Sequence, residues 1–117
     1  MITGEAYGSA YISMNSKSLG ADMVYAWPSA KIGMMESKMA ARIMYPADIA
    51  AADDKLAKEK EIAAKIDELQ SSALAAAKRG YVDDIIEPDA TRKRVIAALE
   101  MLATKQEEGP AKKHASL

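Results

Sequence analysis

The chain has 117 residues, which is enough for at most one small domain. Its formal net charge of −1 gives no electrostatic reason to expect binding to nucleic acid or to an anionic membrane. It has no cysteine, which excludes disulfides and thiol chemistry and fits a cytoplasmic protein. No apolar run approaches the roughly 18 residues that span a membrane. Gly4 and Glu5 precede any apolar run, so we expect neither membrane insertion nor a signal peptide.

The first 46 residues carry mixed strand and helix signals. The patterns predict a strand at residues 2–6, a helix at 9–19, strands at 23–27 and 30–35, and a helix at 37–44. Gly20 is a suitable left-handed cap for the first helix, and Pro46 stops the second. Pro28 and Ser29 mark a turn between the two later strands. This part of the chain is therefore expected to be α/β.

Residues 47–79 are rich in helix-forming Ala, Lys, Glu, Leu and Ile. Asp53 and Asp54 are candidate caps for a helix start, which leaves residues 47–52 as a connector. One apolar stripe follows from spacings of three and four residues, and it consists of Ile62, Ile66, Leu69 and Ala73. Lys78, Arg79 and Gly80 combine positive charge with a glycine, which predicts the end of this helix.

The remaining sequence predicts one more helix, with helix-breaking residues before and after it. Residues 81–86 read as a short extended or turn segment, and Pro88 with Asp89 opens the last helix. Its apolar face would carry Val95, Leu99 and Leu102. Gly109 and Pro110 close it, and residues 111–117 read as a basic tail.

Three short strands crowd into the first third of the chain, and helices follow. A small α/β domain normally interleaves the two so that helices cover both faces of the sheet. Strand edges left open favour association with another chain. We therefore expect a missing partner segment and a dimer or larger oligomer that buries residues 2–6 and 23–35.

The main chemical candidate is the turn at Gly8, Ser9 and Ala10, where a strand signal meets a helix signal. A helix N-terminus presents free backbone N–H groups that can hold a negatively charged oxygen. Glycine permits close approach of the backbone to a ligand. The alternative is an ordinary strand-to-helix turn without chemistry.

Other candidates carry weaker signals. Asp83, Asp84 and Glu87 form a carboxylate group in sequence, but nearby Lys78 and Arg79 favour a solvated turn. A zinc site is not expected, because His114 is the only histidine and there is no cysteine. Four methionines are interpreted as packing residues rather than ligands: Met34, Met35, Met39 and Met44.

Motifs at both ends of the chain resemble one family. The first third carries AYG at 6–8, AY at 10–11, MNSK at 14–17, LGAD at 19–22, YAWP at 25–28 and the stretch 32–35. The end carries RGYVDDIIEP at 79–88, TR at 91–92, ALEML at 98–102 and PAKKH at 110–114. Together they resemble the C-terminal part of the carboxyltransferase subunit of biotin-dependent acyl-CoA carboxylases and decarboxylases. The chain departs at Ser9, where the family usually has glycine.

The resemblance implies an incomplete crotonase-like α/β domain, comprising its helix-rich C-terminal part. Residues 1–46 would form a strand-and-helix piece with the oxyanion turn, residues 47–109 a helical part, and residues 110–117 a tail. Such subunits place their biotin and acyl-CoA sites where domains of two subunits meet, so the resemblance also implies a homo-oligomer.

The same resemblance implies the activity, which is carboxyl transfer between carboxybiotin and an acyl-CoA. Gly8 would shape the turn, and the N–H groups of Ser9 and Ala10 would hold the ureido oxygen of carboxybiotin. Tyr11 and Ile12 would line the pocket. Biotin would arrive on a carrier protein rather than bind directly to this chain, and it would itself take the α-proton of the substrate.

A second hypothesis remains beside this one. The chain would then be a non-catalytic helical assembly piece, either a truncated gene product or a fragment. Under both hypotheses we expect no carboxyltransferase activity from the isolated chain, because catalysis requires both reactants to be held in place.

Overall fold

The structure is a computed structural model that describes residues 1–106. The elements in chain order are β1 (Glu5–Tyr7), α1 (Gly8–Ser13), a 3₁₀ turn (Lys17–Leu19), β2 (Tyr25–Ala26), β3 (Lys31–Gly33), α2 (Ser37–Met44), α3 (Pro46–Ala51), α4 (Lys55–Ile66), a π-helical turn (Asp67–Ser71), α5 (Ala73–Lys78), β4 (Asp84–Ile85), a second 3₁₀ turn (Pro88–Ala90) and α6 (Thr91–Leu102). Helices therefore dominate, as the composition predicts.

The strands pair in parallel. β1 pairs with β3, with Ala6 opposite Ile32, and β2 pairs with β4, with Ala26 opposite Ile85. Ile2 joins the two pairs, because its N–H donates to the Tyr25 carbonyl at 2.8 Å and its carbonyl accepts from the Trp27 N–H at 2.9 Å. The segment from Ile2 to Tyr7 thus lies between β3 on one side and β2 on the other.

This pairing corrects the expectation that residues 2–6 present an open edge to a partner chain. They are the middle of the strand arrangement rather than its border. β4 lies in the part of the chain that the sequence predicts as an extended or turn segment, and it completes one pair. β3 and β4 are therefore the outer strands among those described, and Lys31 of β3 also forms an isolated antiparallel bridge with Ser72.

The buried apolar residues form three small clusters. One lies between the strands and α5, where Val24, Ala26, Ile32, Ala73 and Ala76 pack together. A second holds α2 against α4, and its members are Ala40, Ala41, Ile62, Ala63 and Ile66. A third joins β2 to α6 and consists of Tyr25, Ile86 and Ala98. The first cluster fixes α5 beneath the sheet and thereby positions the segment that follows it.

α1 is shorter than predicted. It ends at Ser13 rather than Leu19, because Asn15 takes a left-handed conformation with φ of 66° and breaks the helix. The Ser13 hydroxyl also donates back to the carbonyls of Ser9 and Ala10, which competes with helix continuation. Gly20 does serve as a left-handed cap, with φ of 99°, but it caps the short 3₁₀ turn.

The long helical stretch is divided into several pieces. Residues 46–51 form α3 rather than a connector, and Pro46 starts this helix as well as ending α2. The predicted cap of α4 is confirmed, because the Asp54 carboxylate accepts from the N–H groups of Leu56 and Ala57. The π-helical turn and the extended Ser72 then interrupt the helix before α5.

This interruption changes the predicted apolar stripe. Ile62, Ile66 and Ala73 are buried as expected, whereas Leu69 is 70% exposed. Each turn of a π-helix contains more residues than an α-helical turn, so the spacing that aligns the stripe is lost within Asp67–Ser71. Arg79 and Gly80 stop α5 as predicted, with φ of 80° at Gly80.

The packing role expected for the four methionines is wrong within this chain. Met34, Met35, Met39 and Met44 are all exposed. The buried face of α2 consists of the small residues Ser37, Ala40 and Ala41. Ile43 of the same helix is exposed together with the methionines.

α6 begins after Pro88 as predicted and ends at Leu102. Its buried residue is Ala98, while Leu99 on the predicted face is 64% exposed. The predicted break at Gly109 and Pro110, the basic tail and His114 lie outside the described residues. Within residues 1–106, no helix is both long and apolar enough to span a membrane.

Candidate active site

The strand-to-helix turn has the backbone geometry that its sequence predicts. β1 ends at Tyr7 in an extended conformation, and Gly8 then takes φ of +59° as α1 begins. A Cβ atom added at Gly8 would lie 3.2 Å from the Met34 carbonyl oxygen of the segment after β3. Glycine is therefore favoured at this position for two reasons: its backbone is left-handed, and a second chain segment approaches it closely.

Gly8, Ser9 and Ala10 form the first turn of α1. N–H groups in a first turn have no carbonyl partner within their own helix. Ser9 and Ala10 are exposed, and the Ser13 hydroxyl holds their carbonyls at 2.9 and 3.2 Å. The turn therefore offers free backbone donors on a locally braced segment.

A cleft of about 320 Å³ lies beside this turn. Three of the predicted site residues line it, namely Gly8, Tyr11 and Ile12, and they face Ile32, Arg79 and Tyr81. A second cleft of about 410 Å³ lies along residues 1–7 and is lined by Ala10 and, again, Tyr11. Four of the five predicted site residues thus line one or both of two adjoining clefts, with Tyr11 in the wall that they share, whereas Ser9 lines neither.

Tyr11 has a buried hydroxyl oxygen that makes no hydrogen bond to any residue in the part of the chain that the structure describes. Burial raises the pKa of this phenol, and the neighbouring Tyr81 raises it further. The side chain is therefore neutral at physiological pH and acts through its shape rather than as a base.

Sequence reasoning missed Arg79, Tyr81 and Met34 as neighbours of the turn. The sequence places Arg79 in a helix stop, a solvated turn and the motif at 79–88, and it predicts a packing role for Met34, but none of these indicates a position beside Gly8. The sequence signal for this part of the cleft is the aromatic residue Tyr81 directly after Gly80. This signal does not identify the distant segment that Tyr81 contacts. Their convergence on Gly8 follows from the placement of α5 under the sheet.

The carboxylates after α5 have structural partners. Asp83 accepts from Lys17 Nζ at 2.8 and 2.9 Å and from the Val24 N–H at 2.7 Å. The hydrogen bond from Lys17 is the main cause that lowers the pKa of Asp83, and the Val24 amide adds to it. Asp84 lies 3.7 Å from Arg94. The partners are thus Lys17 and Arg94 rather than the Lys78 and Arg79 that sequence proximity suggested.

A second polar group fixes the π-helical turn to the sheet. Asp67 accepts from Lys31 Nζ of β3 at 2.6 Å and from the hydroxyl of Ser37 at the start of α2. Burial on its own would raise the pKa of Asp67, but the hydrogen bonds from Lys31 and Ser37 outweigh it and lower the pKa. No group of His, Asp or Glu suited to a metal ion occurs among residues 1–106.

The short parallel strands, the helices packed on them and the turn at Gly8 define a partial, helix-rich α/β domain of the crotonase-like class. The carboxyl transferase domain family matches the chain over residues 1–117. The chain belongs to this family.

Three relatives illustrate its similarities. It is 46% identical to the methylmalonyl-CoA carboxyltransferase 12S subunit of Propionibacterium freudenreichii subsp. shermanii, covering 97% of this chain and 22% of that protein. It is also 46% identical to the propionyl-CoA carboxylase carboxyltransferase subunit of Haloferax mediterranei, covering 100% of this chain and 23% of the relative. The alpha subunit of methylmalonyl-CoA decarboxylase from Propionigenium modestum is 46% identical over the same shares.

Solved structures agree with these similarities. The transcarboxylase 12S crystal structure, a hexamer with methylmalonyl-CoA and methylmalonic acid bound, superposes with a TM-score of 0.86 at 44% identity. The match covers 97% of this chain and 22% of that one. The beta subunit of geranyl-CoA carboxylase from P. aeruginosa shares the fold, with a TM-score of 0.70 at 22% identity. The chain thus spans less than a quarter of the length of these relatives.

Proposed function

We propose that this chain supplies the biotin-facing part of a carboxyltransferase that moves a carboxyl group between carboxybiotin and an acyl-CoA. The observation that carries the proposal is the turn at Gly8, where Gly8 lines one cleft and Ala10 lines the adjoining cleft, in a chain of the carboxyl transferase family. That the chain corresponds to the C-terminal part of such a subunit, divided at residues 46 and 109, stays a prediction from its motifs.

The residues present fit a biotin ring. Gly8 leaves open the space that a Cβ would fill near Met34, and the cleft volume of about 320 Å³ suits a small organic group. Ile12 and Ile32 supply apolar walls. A carrier protein would bring carboxybiotin to this cleft, where the bound group would supply the carboxyl to be transferred.

The contribution of this chain would be electrostatic. The N–H groups of Ser9 and Ala10 would donate to the ureido oxygen, on which negative charge grows as the carboxyl group leaves. Losing one such donor costs about 3 kcal/mol in enzymes that use backbone oxyanion sites. Because the donors belong to the backbone, the serine at position 9 keeps the donor that glycine would provide. Tyr11, neutral at working pH, would close the wall between the two clefts.

The test places residues 1–117 in the Propionibacterium 12S subunit, in place of the segment to which they are 46% identical. Carboxyl transfer between methylmalonyl-CoA and biotin is then measured for Ala10→Pro and for the matched control Ser9→Gly. Proline removes the donor outright, so we expect a loss on the order of a hundredfold in kcat with acyl-CoA binding retained. Ser9→Gly should stay within about tenfold of the parent chimera.

Circular dichroism shows whether each variant folds. A folded Ala10→Pro chimera with normal turnover would contradict the oxyanion role and leave an ordinary strand-to-helix turn. An inactive parent chimera that folds and binds acyl-CoA would favour the second function, a non-catalytic assembly piece. The exposed apolar residues on α2 and near the cleft are the observation that supports that second function.

A further inference from the structure

We propose that Arg79 binds the carboxylate of N-carboxybiotin and so lets the cleft distinguish carboxylated from uncarboxylated biotin. The inference rests on the proposed function, because it assigns a further binding residue to the same cleft. It is based on the position of Arg79 across the cleft from Gly8. The sequence motifs did not predict this position.

The end of α5 places the backbone of Arg79 at the cleft, with its side chain exposed. Ala73 and Ala76 of α5 are buried in the cluster beneath the sheet, so the helix has a fixed position. The helix ends at Lys78, Arg79 caps it with φ of −90° and ψ of 0°, and Gly80 redirects the chain through φ of +80°. Arg79 and Tyr81 consequently line the cleft together with Gly8 and Ile12.

The guanidinium group retains unused hydrogen-bonding capacity. Its Nη1 donates to the Gln70 carbonyl at 3.2 Å. A guanidinium has several further N–H donors arranged as a fork that matches a carboxylate. Within residues 1–106, no aspartate or glutamate forms a salt bridge with Arg79, whereas Arg42 and Arg94 each have a carboxylate partner.

The residues around Arg79 determine how strongly a carboxylate would bind beside it. The cleft wall consists largely of Ile12, Ile32, Met34 and the two tyrosines. Ile32 of this wall is buried and Tyr11 is half-buried, whereas Ile12, Met34, Tyr81 and Arg79 are exposed. A carboxylate seated between them loses part of its hydration, and this loss is unfavourable unless a cation and hydrogen bonds replace the water. An uncharged biotin ring has no such requirement. Arg79 should therefore strengthen binding of the carboxylated form alone.

The competing role for Arg79 is purely structural, namely bracing the π-helical turn through Gln70. Two substitutions separate the roles. Arg79→Gln removes the charge but keeps an N–H donor for the Gln70 carbonyl, and Arg79→Lys keeps the charge but loses the fork. Arg92→Gln removes an exposed arginine from α6 and serves as the control for net charge.

The experiment uses the full 117-residue chain, labelled with ¹⁵N. Each protein is titrated with three probes: biotin methyl ester, N1-carboxybiotin methyl ester and the uncharged N1-methoxycarbonylbiotin methyl ester. The amide shifts of Gly8, Ala10 and Tyr11 give the dissociation constants. We expect the native chain to bind the carboxylate about tenfold more tightly than its uncharged ester.

Arg79→Gln should abolish this preference while leaving the dissociation constants of both uncharged probes unchanged. Arg79→Lys should keep a reduced preference, and Arg92→Gln should keep all of it. A preference that survives in Arg79→Gln overturns the inference, as does an equal weakening for all three probes. If the amides of Gly8 and Ala10 shift with biotin methyl ester while the preference is absent, the inference alone fails. If no probe shifts them, the inference fails, and the chimera assay decides the proposed function independently.

Discussion

Gly8 is the residue on which the geometry of the candidate site depends. Its φ of +59° lies in the left-handed region, and a Cβ atom added there would lie 3.2 Å from the Met34 carbonyl oxygen. A methyl group at this position therefore meets both backbone strain and crowding. Two other glycines allow the effect of backbone strain to be distinguished from the effect of crowding. Gly80 has a positive φ but open space around it, and Gly4 has open space without a left-handed φ.

We predict that Gly8→Ala lowers the free energy of unfolding by about 2 kcal/mol, since the strain of a left-handed alanine and the contact with Met34 add together. Gly80→Ala should cost about 1 kcal/mol, because only the strain remains. Gly4→Ala should be close to neutral. Urea unfolding followed by circular dichroism measures all three. Equal losses for Gly8 and Gly80 would show that the contact with Met34 does not matter.

Among individual residues, the sequence predicts the local part of the candidate site but not the residues that reach it from distant segments. Gly8, Tyr11 and Ile12 line one cleft, because they lie close together on a single strand-to-helix turn. Arg79 and Tyr81 lie far along the chain, and their arrival opposite the turn depends on how α5 packs. No local pattern encodes such an approach, since it depends on the burial of α5 against the strands.

The π-helical turn at Asp67–Ser71 is the element that most alters the predicted architecture. It divides one expected long helix into α4 and α5, and the bonds of Asp67 to Lys31 and Ser37 hold it against the sheet. Helix propensity favours continuation here, so tertiary contacts override it. The turn thereby rotates Leu69 out of the stripe that contains Ile62 and Ile66.

This rotation gives a prediction about two similar residues. Ile66→Ala should lower the free energy of unfolding by about 2–3 kcal/mol, because Ile66 is 6% exposed and belongs to the cluster between α2 and α4. Leu69→Ala should cost less than about 0.5 kcal/mol, because Leu69 is 70% exposed. The free energy of unfolding is measured by urea unfolding. Comparable losses at both positions would indicate a continuous stripe and contradict the π-helical turn.

At the scale of the whole molecule, residues 1–106 expose more large apolar side chains than we expect of a self-sufficient domain. No large side chain within residues 1–106 is completely buried, while Met14 is 84% and Met34 is 77% exposed. The apolar edge of α2, consisting of Met39, Ile43 and Met44, is also exposed. Since residues 2–6 are already paired within the chain, association should proceed through such side chains rather than through open strand edges.

We predict that the chain self-associates at micromolar concentration and that Met39→Lys with Ile43→Lys shifts it toward the monomer. Charged side chains on this edge of α2 would have to be desolvated in any contact that covers it. Ala57→Lys with Ala64→Lys adds the same charge to α4 and serves as the control. Sedimentation equilibrium measures the average mass. A stable, folded monomer of the native chain would refute the prediction.

Sequence patterns alone were sufficient to indicate the family, the α/β character, the caps at Asp54 and Gly80 and the strand-to-helix turn at Gly8. These features are local, because capping, left-handed backbone and short motifs depend on neighbouring residues. The strand order, the π-helical turn, the exposure of the methionines and the position of Arg79 emerged from the folded arrangement. Each of these is settled by contacts between distant segments, whose packing free energy outweighs local preference.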